Sequence, residues 1–328
     1  KVGAKNFGVA LVEEAVQLRD SGIVKEDILV FGPFAEEALS ALVDYNLIPV
    51  VSVVDQLQIL AKVKMPLRSH IKLNTGMNRL GFDESDLPIV KKLISENPQW
   101  QIVGVCSHLS QAEDYFSKDS YTLFQIHRLN DFIKKLELNV KYVHLFNSAG
   151  LIAHSMSAQH AMGARPGIAL YGVKPELKNL NQEQVKKWQT LNLKPVMTLK
   201  SQVIAYHKLK TGEKVSYGGR WVAPRNSIIG IIPIGYGDGY HRLLSQKGVV
   251  LYRGQRAPVV GTVCMDYIMV DLTQILQNSH GEWQEEVILF GEGEGQNLAV
   301  EEIADLASTI SYELLTGIGK RVPRKYVR

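Results

Sequence analysis

The chain has 328 residues, 45% of them hydrophobic and 21% charged, which is the make-up of a globular protein of about two domains and argues against a disordered or fibrous chain. The net charge is +4, and the 37 Lys and Arg residues form no basic block or aromatic-interleaved stripe, which argues against a nucleic-acid partner. Cys106 and Cys264 stand far apart with no CxxC pair, and no apolar run reaches membrane-spanning length. These features argue against a disulfide framework, a metal site and a membrane partner, and they fit a reducing cytoplasm.

From residue 7 to about 172 short apolar runs alternate with amphipathic ones. The pattern predicts strands over 7–10, 28–31, 48–53, 69–74, 102–108, 143–147 and 166–171. Helices are predicted over 11–21, 34–45, 54–63, 87–96 and 121–136; in the last, Leu123, Phe124, Ile126, Leu129, Phe132 and Ile133 fall near helical spacing. Strands alternating with helices imply a parallel sheet. No GxGxxG follows the first strand and no GxxxxGK[ST] occurs, so the common nucleotide-binding loops are absent from the sequence. Seven such strands are one short of an eight-stranded barrel, and the missing one is expected upstream of Lys1, where the chain reads as if it starts inside a fold.

After residue 178 the character changes. Residues 178–189 read as a polar connection. Strand-like runs follow at 197–205, 227–234, 249–252, 257–263, 268–272 and 286–290, separated by Gly and charged turns, which predicts a mostly antiparallel β domain. A helix over 300–308 and a basic tail over 320–328 close the chain. The expected architecture is a TIM-type (β/α)8 barrel lacking its first strand, over residues 1–180, followed by a C-terminal β domain over 181–328.

The residues able to carry chemistry collect at predicted strand ends. Residues 70–82 begin as a strand and break at Asn74-Thr75-Gly76, and Arg79 lies between Gly76 and Gly81. With Lys72, His108, His144, Asn147, Ser148, Arg165, Gly167 and Ile168 they form one predicted rim suited to an anionic, phosphorylated ligand. Taken singly, a strand-end histidine is more often structural, and Ser148 serves equally well as a helix cap. The β domain adds Tyr217 in a Gly-rich turn, Tyr236 and Tyr240 around Asp238, and Cys264-Met265-Asp266 after a strand; locally, the tyrosines also read as turn aromatics.

These segments resemble the alanine racemases, pyridoxal-phosphate enzymes of fold type III. The match runs the length of the chain, in order, through Lys72-Leu-Asn-Thr-Gly-Met-Asn-Arg-Leu-Gly81, Ser107-His108, His144-Leu-Phe-Asn147-Ser-Ala149 and Arg165-Pro-Gly-Ile-Ala-Leu-Tyr-Gly172. It continues through Val215-Ser-Tyr-Gly218, Ile232-Pro-Ile-Gly-Tyr236-Gly-Asp-Gly239, Cys264-Met-Asp266, Tyr312-Glu313 and Arg321-Val-Pro-Arg324.

The resemblance implies interconversion of L- and D-alanine by two bases with pyridoxal 5'-phosphate, supplying D-alanine for peptidoglycan, in a cytoplasmic homodimer. Tyr217 would be one base, contributed across the dimer, with His108 and Arg165 stabilising its phenolate. Arg165 would also face the pyridine nitrogen. Ser148, Gly167, Ile168 and Tyr312 would hold the phosphate, with Asn147 and His144 beside the cofactor. Arg79 would take the substrate carboxylate, Met265 and Asp266 would close the pocket from the partner, and Tyr236 would gate it. Lys72 is the position that can carry a carbamate.

The chain departs from the family pattern in three places. The first-strand segment with the Schiff-base lysine and its Ala-Tyr-Gly motif is absent, so either about fifty or more residues lie upstream or the enzyme is incomplete. Asn74 stands where many members have Asp, and Thr262 where some have Arg. Two other readings stay open: a serine, lysine or broad-range racemase of the same fold, or a non-catalytic cofactor-binding protein.

Overall fold

The computed structural model describes residues 3–157, 162–277 and 279–327. The chain divides into two compact units. Unit 1 comprises Lys1–Gly167 with Pro175–Asn192, and unit 2 comprises Ile168–Lys174 with Leu193–Arg328.

Unit 1 runs β1 (Asn6–Val9), α1 (Val12–Asp20), β2 (Asp27–Val30), α2 (Leu39–Asp44), β3 (Ile48–Val51), α3 (Val54–Leu60) and β4 (Leu67–Lys72). It continues with α4 (Leu87–Glu96), β5 (Trp100–Cys106), α5 (Tyr121–Leu136), β6 (Tyr142–Phe146), α6 (Ser148–Ser157), β7 (Gly163–Ala164) and α7 (Gln182–Thr190). Among the described residues the seven strands form one sheet in sequential order, and every neighbouring pair is parallel. This is the strand order of an α/β barrel wall.

Successive side chains on a strand face opposite sides, and the core divides accordingly. Ile28, Val30, Val51, Ile71, Val105 and Leu145 pack against the helices with Leu57, Leu129 and Phe132. Leu29, Ile48, Val50 and Cys106 cluster on the other face. Fully burying a side chain such as Ile71 contributes roughly 1.5–3 kcal/mol, so this helix-facing layer is the main anchor of the sheet.

The last predicted strand is displaced. Residues 166–171 do not extend the sheet: β7 is Gly163–Ala164, and Ile168–Tyr171 form a 3₁₀ turn in unit 2. Arg165 makes the final ladder bond, its N–H donating to the Phe146 carbonyl at 2.7 Å, and Pro166 has no N–H with which to continue it. The polar stretch 178–189 is also more than a connection, since it contains α7. Asn181 and Gln184 cap that helix reciprocally, and because few of its residues are apolar, no hydrophobic stripe announces it.

Unit 2 contains β8 (Leu199–Val203), β9 (Ala205–Leu209), β10 (Lys214–Val215), β11 (Trp221–Val222), β12 (Ser227–Ile232), β13 (Val249–Tyr252) and β14 (Gln255–Val260). It is completed by β15 (Ile268–Asp271), β16 (Glu285–Gly293), β17 (Gln296–Leu298), α8 (Val300–Leu306) and α9 (Ser311–Gly317). The antiparallel sheet has the order β17-β16-β13-β14-β15-β12-β9, with β8 also on β16, and β10–β11 form a separate hairpin. The predicted strand 197–205 is two strands with different partners: β8 joins β16 and β9 joins β12. Val203, Ile232, Val250, Tyr252, Leu272 and Val287 are at the centre of this unit's core.

Candidate functional site

The register of β4, β5 and β6 gathers the ionisable groups of unit 1. Lys72 pairs with Cys106, and Cys106 pairs with His144, so the three side chains lie in one row on the same face of the sheet. His70 is two residues before Lys72 and shares that face, opposite Gly104. A Cβ at Gly104 would lie 2.3 Å from the His70 ring, so the glycine makes room for the imidazole.

Arg165 anchors the group. Its Nη1 donates to the carbonyl of His144 at 2.8 Å and to Nδ1 of the same residue at 2.6 Å. Its Nη2 donates to the Ser107 carbonyl and lies 3.4 Å from Nδ1 of His108. The guanidinium also lies 5.4 Å from the centre of the Phe31 ring. Four terminal N–H bonds are thereby engaged, and among the described residues Nε–H has no protein acceptor. His144 Nε2 lies 2.7 Å from His70 Nδ1, which extends the chain to a residue the sequence reading gave no role. The only sequence signal for His70 is its i, i+2 spacing from Lys72 on a strand.

Burial, reinforced by the Arg165 charge, pushes the three imidazoles down: His144 to about 2, and His70 and His108 to about 4. A nearby Asp27 partly offsets the shift at His70, and Arg79 and Lys72 add to that at His108. All three are therefore neutral at pH 7, and the positive charge stays on the guanidinium. Burial raises the Cys106 thiol, keeping it protonated and inert between Lys72 and His144.

Lys72 is 8% exposed, and its pKa is lowered, first by burial; Cys106 opposes the shift, and Arg79 and Arg165 add to it. Arg79 sits in a loop that two close approaches hold in place. Gly81 (φ +126°) has no room for a side chain beside the backbone of Leu73 and Asn74, and Gly76 (φ +137°) has none beside the Tyr121 hydroxyl. Asn74 ties the loop together. Its Oδ1 accepts from the N–H groups of Gly76 and Asn78, and its Nδ2 donates to Asp83 Oδ1 at 2.8 Å and Asn78 Oδ1 at 3.0 Å. Below His108 a directed chain runs from Gln125 Nε2 to Thr75 Oγ1, on to Ser107 Oγ and then to the Leu73 carbonyl, and Gln125 also donates to the His108 carbonyl at 3.0 Å.

Asn147 precedes α6 and caps it, accepting the Gly150 N–H at 2.9 Å. The positive end of this ten-residue helix therefore carries Ser148, whose Oγ accepts the Gly167 N–H at 3.1 Å. A Cβ built on Gly167 would meet nothing within 4 Å, so the backbone there faces open space. Unit 1 thus brings together Lys72, Arg79, His108, His144, Asn147, Ser148, Arg165 and Gly167. These residues offer a guanidinium N–H to a planar acceptor and a helix start to an anion.

The remaining expected residues belong to unit 2: Ile168, Tyr217, Tyr236, Met265, Asp266 and Tyr312. Tyr217 opens the turn of the β10–β11 hairpin and is 73% exposed. Tyr236 and Met265 lie on adjacent loops, bonded from Tyr236 N to the Cys264 carbonyl at 3.0 Å and from Gly237 N to the Met265 carbonyl at 2.9 Å. Arg321 clamps both loops, its Nε donating to Asp238 at 2.7 Å and its Nη2 to Asp266 at 2.8 Å. Tyr312 starts α9, and burial raises its phenol pKa, which keeps it a neutral hydrogen-bond donor.

Comparison with known proteins gives one answer for both units. Residues 1–175 match the family model for the alanine racemase N-terminal domain, and residues 196–326 match that for the alanine racemase C-terminal domain. The alanine racemase of Pasteurella multocida is 38% identical over 325 residues, covering 98% of this chain and 84% of the relative. That of Clostridium novyi is 37% identical over 334 residues, covering 99% and 83%. Among solved structures, the alanine racemase from E. faecalis superposes with a TM-score of 0.86 at 31% identity, covering 99% of this chain and 84% of that one. The biosynthetic alanine racemase from Pseudomonas aeruginosa gives 0.83 at 32% identity, covering 100% and 86%.

Proposed function

The chain belongs to the alanine racemase family, and on that premise we propose that it interconverts L- and D-alanine with pyridoxal 5'-phosphate, as a cytoplasmic homodimer supplying D-alanine for peptidoglycan. The observation that carries the cofactor reading is the Arg165 guanidinium, fixed through its terminal nitrogens with Nε–H left over. A pyridine nitrogen is an acceptor for that N–H, and a phosphate suits the helix start at Ser148 and the open backbone at Gly167. The unit 1 residues present therefore fit this cofactor, and family membership adds Asn147, His144, Ile168 and Tyr312 as residues that would contact it. When bound, the cofactor supplies an electron sink that lowers the cost of removing the Cα proton.

The chain's own residues then divide the work. Residues 1–180 hold the cofactor, and residues 181–328 supply side chains to the site of a second copy. Arg79 binds the substrate carboxylate through paired N–H donors. Tyr217, from the second copy, removes or returns the Cα proton on one face. His108 and Arg165 favour its phenolate, since an uncharged His108 can donate through Nε2 while Nδ1 faces Arg165. Arg165 keeps its own proton, so a pyridine nitrogen held against it would stay unprotonated, which would moderate the electron sink the cofactor supplies. Met265 and Asp266 close the pocket from the second copy, and Tyr236 gates it. Lys72, as a carbamate, steadies Arg79.

The test is Cα proton exchange in the full-length gene product. Replacing Tyr217 by Phe is expected to slow exchange from one alanine enantiomer by at least a hundredfold, the scale of a lost general base. Unchanged exchange from both enantiomers would sink the base assignment. Faster turnover of serine or lysine than of alanine would move the substrate assignment.

A further inference from the structure

We propose that Thr262 is a positioning residue for Tyr217: its hydroxyl fixes the main chain that carries the tyrosine, and through it the place of the phenol oxygen. The inference rests on the reading of Tyr217 as a base and assigns that base its support.

Among the described residues, little else holds the tyrosine. Its side chain is 73% exposed, so intrachain packing does not set its position. The hairpin beneath it is short, with Lys214 paired to Val222 and Val215 to Trp221. The turn also runs through unusual backbone, with Ser216 at φ +65°, Gly218 at +75° and Gly219 at +55°. A non-glycine residue such as Ser216 adopts this region only when its surroundings hold it there.

Residues 261–264 provide that hold. Thr262 is 3% exposed, and its Oγ1 donates to the Tyr217 carbonyl at 2.9 Å. In return, Ser216 Oγ donates to the Thr262 carbonyl at 2.7 Å and lies 3.4 Å from Cys264 Sγ. The two segments are thus bonded in both directions, at the strained residue itself and at the one after it. Gly261 permits the approach, since a Cβ there would lie 2.9 Å from both the Ser216 Cβ and the Val215 carbonyl. The supporting segment is itself stiff: it leaves β14, a strand with neighbours on both sides, and the Val263 N–H is held by Ser245 Oγ at 3.0 Å. A reactive side chain placed by a rigid element through hydrogen bonds keeps its geometry better than one on a free loop.

The experiment compares Thr262→Val, which keeps the shape and loses the donor, with Thr262→Ser, which keeps the donor, in the full-length holoenzyme. The readout is the primary isotope effect on kcat/KM with α-deuterated L- and D-alanine. A misplaced Tyr217 makes its own proton transfer more rate-limiting. In Thr262→Val the isotope effect should therefore rise for the enantiomer whose proton Tyr217 removes and fall for the other, with kcat down about tenfold. Thr262→Ser should retain the parent values. Ser216→Ala, which removes the return bond, should shift both isotope effects in the same senses as Thr262→Val, and it carries the test if Thr262→Val does not fold.

Equal or absent shifts for the two enantiomers would overturn the positioning role. Tyr217→Phe, measured alongside, separates the two levels. If it lowers exchange from one enantiomer while the Thr262 and Ser216 variants show no asymmetry, only the present inference falls. If it changes nothing, the base assignment falls with it.

Discussion

The Arg165 guanidinium lies 2.6 Å from Nδ1 of His144. Arginine only donates, so this ring nitrogen is unprotonated and the proton of the neutral imidazole sits on Nε2. Nε2 faces His70 Nδ1 at 2.7 Å, which must then accept, leaving the His70 proton on its own Nε2. One permanent donor thus sets two tautomers in series. Nitrogen-15 spectra of the imidazoles are expected to show both rings protonated on Nε2 from pH 8 down to about pH 5. A protonated Nδ1 in either ring would break the chain.

The same pair makes stability depend on pH. Folding holds His70 at about 4 and His144 at about 2, against 6.5 for an ordinary imidazole. Below 6.5 the unfolded chain takes up protons that the folded one refuses, so acid favours unfolding. Their contribution is fully present above 6.5 and is lost as the pH falls, for His70 down to about 4 and for His144 further toward 2. Each contributes a slope of up to about 1.4 kcal/mol per pH unit. Urea unfolding between pH 7 and pH 5 should show stability falling with acid, and His70→Gln should flatten the fall by about one proton's slope. An unchanged slope in that variant would mean that His70 titrates normally.

How far the sequence discloses this arrangement depends on whether a residue acts alone or through a distant partner. Strands β2 to β6 are legible because their apolar runs are buried, and Arg79 between two glycines already looks like a presented guanidinium. His70 is not legible as part of the site, because its partner His144 is 74 residues away and the pairing exists only once β4, β5 and β6 are in register. Helix α7 hides because it lacks an apolar stripe. Two of the departures from the family pattern, Asn74 and Thr262, acquire roles only beside Asp83 and Tyr217, which local sequence does not connect to them.

Asn74 fits its place because it both accepts and donates. An Asp could still accept from Gly76 and Asn78 but could not donate to Asp83, and it would set two carboxylates side by side. Asn74→Asp is therefore expected to lower stability by about 1–2 kcal/mol, the scale of a lost hydrogen bond with an added like-charge contact. Asn74→Asp with Asp83→Asn restores a donor–acceptor pair and should recover most of the loss. Chemical denaturation of the four proteins in a double-mutant cycle measures the coupling. Additive losses would show that the Asn74–Asp83 contact does not organise the loop.

Lys72 is a cation placed near two others. Burial and the charges of Arg79 and Arg165 lower its pKa, so more of it is free amine near neutrality than for an exposed lysine. The free amine is the form that adds to carbon dioxide: nitrogen bonds to carbon, one proton leaves to solvent, and an anionic carbamate replaces the cation. That anion beside Arg79 would offset the clustered positive charge and orient the guanidinium toward a carboxylate. With 13C-labelled bicarbonate the protein is expected to show one carbamate resonance, absent in Lys72→Gln. The same variant should raise the KM for alanine about tenfold, which corresponds to about 1.4 kcal/mol of lost carboxylate recognition, with a smaller change in kcat. A resonance that persists in Lys72→Gln, or none in the parent protein, would leave Lys72 without a carbamate and so without an anion to steady Arg79.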